Sequence, residues 1–132
     1  MAFDLHEKFI VAAEKTLNCK LPSSYRWSMQ ENNGGTIEAD DGFWDLFTIA
    51  DNSDKKRLSR SCNNIITEMK RSSLRANFPK NVLAIASDGT GDLMILKKDP
   101  SGDCYFDNVY IWFHETGEIV ELVSDFKELE VG

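Results

Sequence analysis

The chain has 132 residues, 42% of them hydrophobic, and a net charge of −7. That length suits one domain over residues 1–132 with a core that needs no disulfide or metal staple, and the composition excludes a disordered chain. No apolar run approaches the ~20 residues of a membrane helix, and the start Met1-Ala2-Phe3-Asp4-Leu5-His6-Glu7 lacks a basic stretch followed by an apolar one, so no secretory leader is read and the cytoplasm is the expected setting.

Residues 4–17 read as a helix. Leu5, Phe9, Ala12, Ala13 and Leu17 recur at helical spacing, and Asp4 with Glu7 three residues on resembles a capping box. His6 in its first turn reads as an exposed histidine rather than a catalytic one. Leu21-Pro22 opens a second helix, because proline suits a first helical position. Tyr25 and Met29 share its face, and Asn32-Asn33-Gly34-Gly35 ends it with a sharp turn. Thr36-Ile37 leads to an acidic turn, Asp40-Asp41-Gly42. Phe43-Trp44-Asp45-Leu46-Phe47 then reads as a strand, with Phe43, Asp45 and Phe47 on one face and Trp44 and Leu46 on the other. Such aromatics could stack on bases, but Asp40, Asp41 and Asp45 would repel phosphate, so the run is assigned to the core.

Residues 54–76 are predicted as the longest helix, a middle helix with Leu58, Cys62, Ile65, Ile66 and Met69 as its apolar stripe. Residues 55–80 carry eight basic side chains against Glu68 alone. Charge alone would allow a nucleic-acid helix, yet no aromatic alternates with the basic residues, so a solvated basic face is preferred and no direct nucleic-acid contact is expected.

The stretch Ile85-Ala86-Ser87-Asp88-Gly89-Thr90-Gly91-Asp92-Leu93-Met94-Ile95-Leu96 organises the rest: two aliphatic strands about a glycine-rich connection. Counted from Asp88 as a calcium loop, the sixth and twelfth positions hold Leu93 and Asp99 where glycine and glutamate are needed. A dinucleotide fingerprint fails as well, since Met94 occupies the third glycine position. The acids are therefore read as capping backbone N–H groups in a tight turn. A polar turn follows at 97–103, then a strand at 108–114 with Val109, Ile111 and Phe113 on one face and Tyr110 and Trp112 on the other. Residues 115–118 turn the chain, 119–123 add a short strand, and Ser124 or Asp125 caps a short terminal helix holding Phe126 and Leu129. The fold class is α+β: N-terminal helices, a mostly antiparallel sheet, a long middle helix and a short C-terminal helix.

Cys19, Cys62 and Cys104 form no Cys-x-x-Cys pair and have no histidine near them in sequence, so neither a metal nor another cofactor is expected. No Ser-His-Asp order or phosphate loop is present, and His114-Glu115 are strand neighbours pointing to opposite faces. The chain does not read as an enzyme. Outside residues 55–80 it is strongly acidic, which fits either steering of a basic partner or simple solubility.

Laid out in order, Leu21-Pro22-Ser23-Ser24-Tyr25, Asn33-Gly34-Gly35, Trp44-Asp45-Leu46, Ile85 to Asp92, then Val109, Trp112, His114-Glu115 and Val123 to Leu129 resemble the SUKH superfamily over about residues 5–130. That group includes the yeast cell-wall assembly regulator and many bacterial toxin-immunity proteins. This chain departs from the pattern in having Ser28 three residues after Tyr25, where the family carries a large apolar residue, and in placing Trp27 one position early. The resemblance implies a sandwich-like α+β domain without catalytic residues. It also implies a cytoplasmic immunity protein, monomer or dimer, that blocks a cognate polymorphic toxin by stoichiometric occlusion, the toxin being a basic nuclease or other nucleic-acid-modifying domain. A scaffold or regulatory module on the same fold is the alternative. Because turns carry binding residues, the acids expected to contact the partner are Asp40, Asp41, Asp88, Asp92, Asp103, Asp107 and Glu115.

Overall fold

In a computed structural model, which describes residues 3–132, four helices surround one six-stranded antiparallel sheet. The elements are α1 (Glu7–Leu17), α2 (Ser23–Glu31), β1 (Thr36–Ala39), β2 (Gly42–Leu46), α3 (Lys55–Arg60), α4 (Ile65–Ser72), β3 (Val82–Ser87), β4 (Leu93–Lys98), β5 (Tyr105–Trp112) and β6 (Ile119–Val123), with a 3-10 turn at Phe126–Glu128. The strands lie in the order of the chain, β1 to β6. The expected α+β class with an antiparallel sheet is what forms.

The aliphatic hairpin is the centre of the core. Leu83 to Ala86 on β3 and Leu93 to Leu96 on β4 are all buried, so both faces of these strands are covered. An unbroken apolar run, rather than an alternating one, is what such strands require. From the first helix come Ile10, Ala13 and Leu17, and from the second Tyr25 and Met29, both with no exposed surface. Tyr25 meets the ring of Phe126 edge-on, with centroids 5.3 Å apart. Trp112 is covered by the segment after α4: Phe78 packs edge-on against it at 5.1 Å, Arg75 lies over its ring, and its indole N–H donates to the Asn77 carbonyl at 3.1 Å.

Three features differ from the sequence reading. The long middle helix is two helices, α3 and α4, broken at residues 61–64. The break has a tertiary cause: Thr48 N–H donates to the Asn63 carbonyl at 3.3 Å, and Ile65 N–H donates to the Thr48 carbonyl at 2.9 Å. Asn64, a poor helix interior residue and a good cap, accepts the N–H groups of Ile66 and Thr67 and restarts the helix. The expected stripe therefore does not form: Ile65 is buried, whereas Leu58 is 52% exposed and Cys62 is exposed. The second difference is at α1, which is capped by His6 through Nδ1 and Lys8 N–H. Asp4 is drawn away to Arg57, whose guanidinium donates to its carboxylate at 2.9 Å and its carbonyl at 2.7 Å. Third, Thr36–Ala39 is itself a strand, paired with β2 through the Asp40-Asp41 turn.

After the 3-10 turn, which Asp125 and Glu128 close as a capping box, the chain returns to the outer edge of β1. Gly132 exchanges two backbone hydrogen bonds with Thr36, at 2.9 and 3.0 Å. Gly35 makes that return possible: its φ is +104°, and a Cβ there would sit 2.8 Å from Val131 Cγ1.

Candidate functional site

In this antiparallel meander β2 pairs its last two residues, Asp45 and Leu46, with Ser87 and Ala86 at the end of β3, and the β1–β2, β3–β4 and β5–β6 connections share one end of the sheet. Asp40 and Asp41, Asp88 and Asp92, and Glu115 sit on those three connections. The β4–β5 connection lies at the opposite end and carries Asp103, and Asp107 stands near it on β5. The structure thus gathers five of the seven expected acids and leaves Asp103 and Asp107 apart.

Each turn holds its acids differently. Asp40 and Asp41 are the two central residues of a tight hairpin, both left-handed with φ of +50° and +59°. Hairpins of this kind favour Asn-Gly, which enters that region with little strain. Two exposed aspartates in those places are a less stable choice, and they keep two negative charges at the tip. Asp88 caps its own loop, accepting from Thr90 N–H at 2.9 Å and Thr90 hydroxyl at 2.6 Å. The expected capping turn is therefore present.

Asp92 reaches across to the third turn. Its Oδ1 accepts the backbone N–H of His114 at 3.0 Å and lies 2.6 Å from the ring Nδ1. His114 is thus tied to Asp92, 22 residues away, and not to its neighbour Glu115. Gly91 lets the ring approach: its φ is +113°, and an added Cβ would stand 3.0 Å from His114 Nδ1. An open cleft of about 510 Å³ lies between the two loops, lined by Thr90, Asp92, His114, Glu115 and Glu118 among others.

Among the described residues the ion pairs are Arg26 with Glu7 and Glu14, Arg57 with Asp4, Asp51 and Asp54, Arg71 with Glu68, and His114 with Asp92. Asp40, Asp41, Asp88 and Glu115 take part in none of them. Exposed charges without an ion-pair partner act on solution over roughly 8 Å at physiological ionic strength. Among the described residues no group of three or more His, Cys, Asp or Glu could hold a metal, and no helix is long and apolar enough to cross a membrane. What this end can do chemically is attract and orient positive charge.

Sequence reasoning missed two exposed aromatics. The aromatic run reads as core, yet Phe43 is 67% exposed, while Trp44, Leu46 and Phe47 are buried. Alternation correctly sets Phe43 and Asp45 on one face of β2, but that face is the wet one; Phe47 lies past the strand and turns inward. Trp27 is 65% exposed on α2. Its signal was in the sequence: it sits one position before Ser28, where the family pattern has an apolar residue, and so it is rotated off the buried face of α2.

The model of the SMI1 / KNR4 family (SUKH-1) matches residues 4–130. No curated protein matches the chain significantly.

Proposed function

The chain belongs to the SMI1 / KNR4 family (SUKH-1), which includes toxin-immunity proteins, and from this premise we propose that it is an immunity protein. It acts in the cytoplasm by binding a cognate polymorphic toxin domain one to one and covering a surface the toxin needs, with no turnover of its own. The toxin is a basic protein of the nuclease or other nucleic-acid-modifying class. The observation that carries this reading is the acidic sheet end, where three separate turns bring Asp40, Asp41, Asp88, Asp92 and Glu115 together. Charge gathered on one side speeds encounter with a partner of opposite sign and rejects partners of like sign.

The experiment is co-expression with the toxin encoded beside this gene. The wild type should rescue growth and form a 1:1 complex. Its association rate should fall steeply with ionic strength and fall again when Asp40, Asp41, Asp88 and Glu115 are changed to lysine. An association rate indifferent to salt would reduce the acids to solubility. Turnover of a substrate by the purified protein, abolished by His114→Ala, would make it an enzyme instead.

One observation favours a second reading, an intracellular scaffold or regulator. Leu58 on α3 and Leu74 just past α4 are 52% and 87% exposed in the basic stretch of the chain, and either is an anchor for docking an acidic protein. Lack of any neighbouring toxin gene, with Leu58→Ala or Leu74→Ala abolishing a cellular interaction, would select it.

A further inference from the structure

Trp27 and Phe43 are each about two-thirds exposed, whereas the other two tryptophans, Trp44 and Trp112, are 2% and 0% exposed. A large aromatic left in water forgoes the stabilisation that burial would give. The two stand at opposite ends of one surface. A groove of about 810 Å³ runs from Trp27 over Phe126, Leu129 and Val131. A second, of about 680 Å³, is lined by Phe43 and shares Leu129 and Val131 with the first. The C-terminal segment is therefore the apolar floor of a continuous strip between α2 and β1–β2.

The rim is mostly acidic. Glu31 borders the first groove, and Glu38, Glu128 and Glu130 border the second; among the described residues lining either groove, Lys127, on the first, is the one cation. Glu128 is fixed in place, its Oε2 accepting from Ser124 hydroxyl, Ser124 N–H and Asp125 N–H at 2.8–3.0 Å. Apolar anchors in the centre and charge at the rim are how protein-binding surfaces are built.

We propose that this strip is the anchoring surface for a basic segment of a partner protein, one that lays an apolar side chain between Trp27 and Phe43 and sets lysines or arginines against Glu31, Glu38, Glu128 and Glu130. It builds on the binding reading and adds where the anchor sits and what fills it. The glutamates reject the phosphates of nucleic acid and the anionic face of a membrane. A second copy is disfavoured. Each copy carries −7 overall, so two acidic strips facing each other would repel.

The probe is a synthetic octapeptide, Leu-Phe flanked on each side by three lysines, acetylated and amidated. Trp27 is the exposed tryptophan, so acrylamide quenching of fluorescence reads its cover directly. The peptide should protect Trp27 and shift the amide resonances of Leu129 and Val131. Phe43→Ala or Trp27→Ala, followed by those resonances, should weaken binding tenfold or more; Glu38→Gln with Glu130→Gln should weaken it severalfold and flatten its salt dependence. Both aromatics are exposed, so melting temperatures should stay at the wild-type value. Equal binding of a glutamate-flanked peptide, equal binding of an all-lysine peptide, no saturation, or shifts confined to residues 88–92 and 113–118 would each overturn the proposal. So would protection of Trp27 by raising the protein's own concentration without peptide. A toxin that is neutralised while Trp27 stays quenchable would remove the strip and leave the immunity reading standing; peptide binding without any toxin would do the reverse.

Discussion

Asn33→Ala tests the least obvious joint in the fold. Asn33 is 8% exposed, and its amide closes a two-bond ring on the backbone of Ile49, with Nδ2 donating to the carbonyl at 2.7 Å and Oδ1 accepting from the N–H at 2.8 Å. Ile49 is 1% exposed, lies beyond β2, and has no backbone partner among the described residues. Truncation orphans both groups. Each buried orphan costs roughly 1–3 kcal/mol. A cleft of about 380 Å³ beside Asn33 and Thr48 gives water a route in, which places the sum at about 2–4 kcal/mol. For a chain of this size that lowers Tm by roughly 10 °C and the urea midpoint by about 1–2 M. The assay is urea unfolding followed by the buried Trp44 and Trp112, in a background where Trp27 is phenylalanine. Asn33→Asp adds a test of sign. At pH 7 its carboxylate still accepts from Ile49 N–H but faces the Ile49 carbonyl without a proton. The gap to wild type should narrow as pH falls and the carboxyl gains a proton to donate. A loss below about 1 kcal/mol for Asn33→Ala would refute the two-bond account.

Asp51 is buried, which would raise its pKa, but hydrogen bonds from the Ser53 hydroxyl and N–H and from Arg57 outweigh burial and hold it below the usual carboxylate range. A depressed carboxylate contributes stability above its unfolded pKa near 4 and loses it as pH falls through the folded value. Asp51→Asn should therefore cost about 2 kcal/mol at pH 7 and converge with wild type as pH falls through the folded value; a gap constant with pH in urea titrations would count against it. Replacing Asp40 by Asn together with Asp41 by Gly supplies the pair such hairpins favour, and should raise stability by about 1 kcal/mol while slowing capture of a basic partner. Calorimetry and association kinetics read the two effects separately, and faster or unchanged capture would contradict the steering role. Gly91→Ala should push the His114 ring off Asp92 and cost about 1–3 kcal/mol, visible as a moved ring resonance; an unmoved ring at unchanged Tm would contradict the close packing.

The chain's local chemistry was legible from its residues. Helical spacing found α1 and α2, the aliphatic runs found β3 and β4, and the capping turns at Asp88 and Asp125 followed from residue type, because caps and periodicity act over a few neighbours. The acids of the sheet end could be named singly for the same reason. Their grouping could not, since which turns share an end depends on strand order, and the strands are joined across the whole chain. The same holds for the His114 partner, 22 residues away in Asp92, and for the break in the middle helix, imposed by Thr48 from outside its window. Trp27 and Phe43 show the limit from the other side. An aromatic's type favours burial, but only the returning C-terminal segment and the finite width of the core decide which aromatics are left in water.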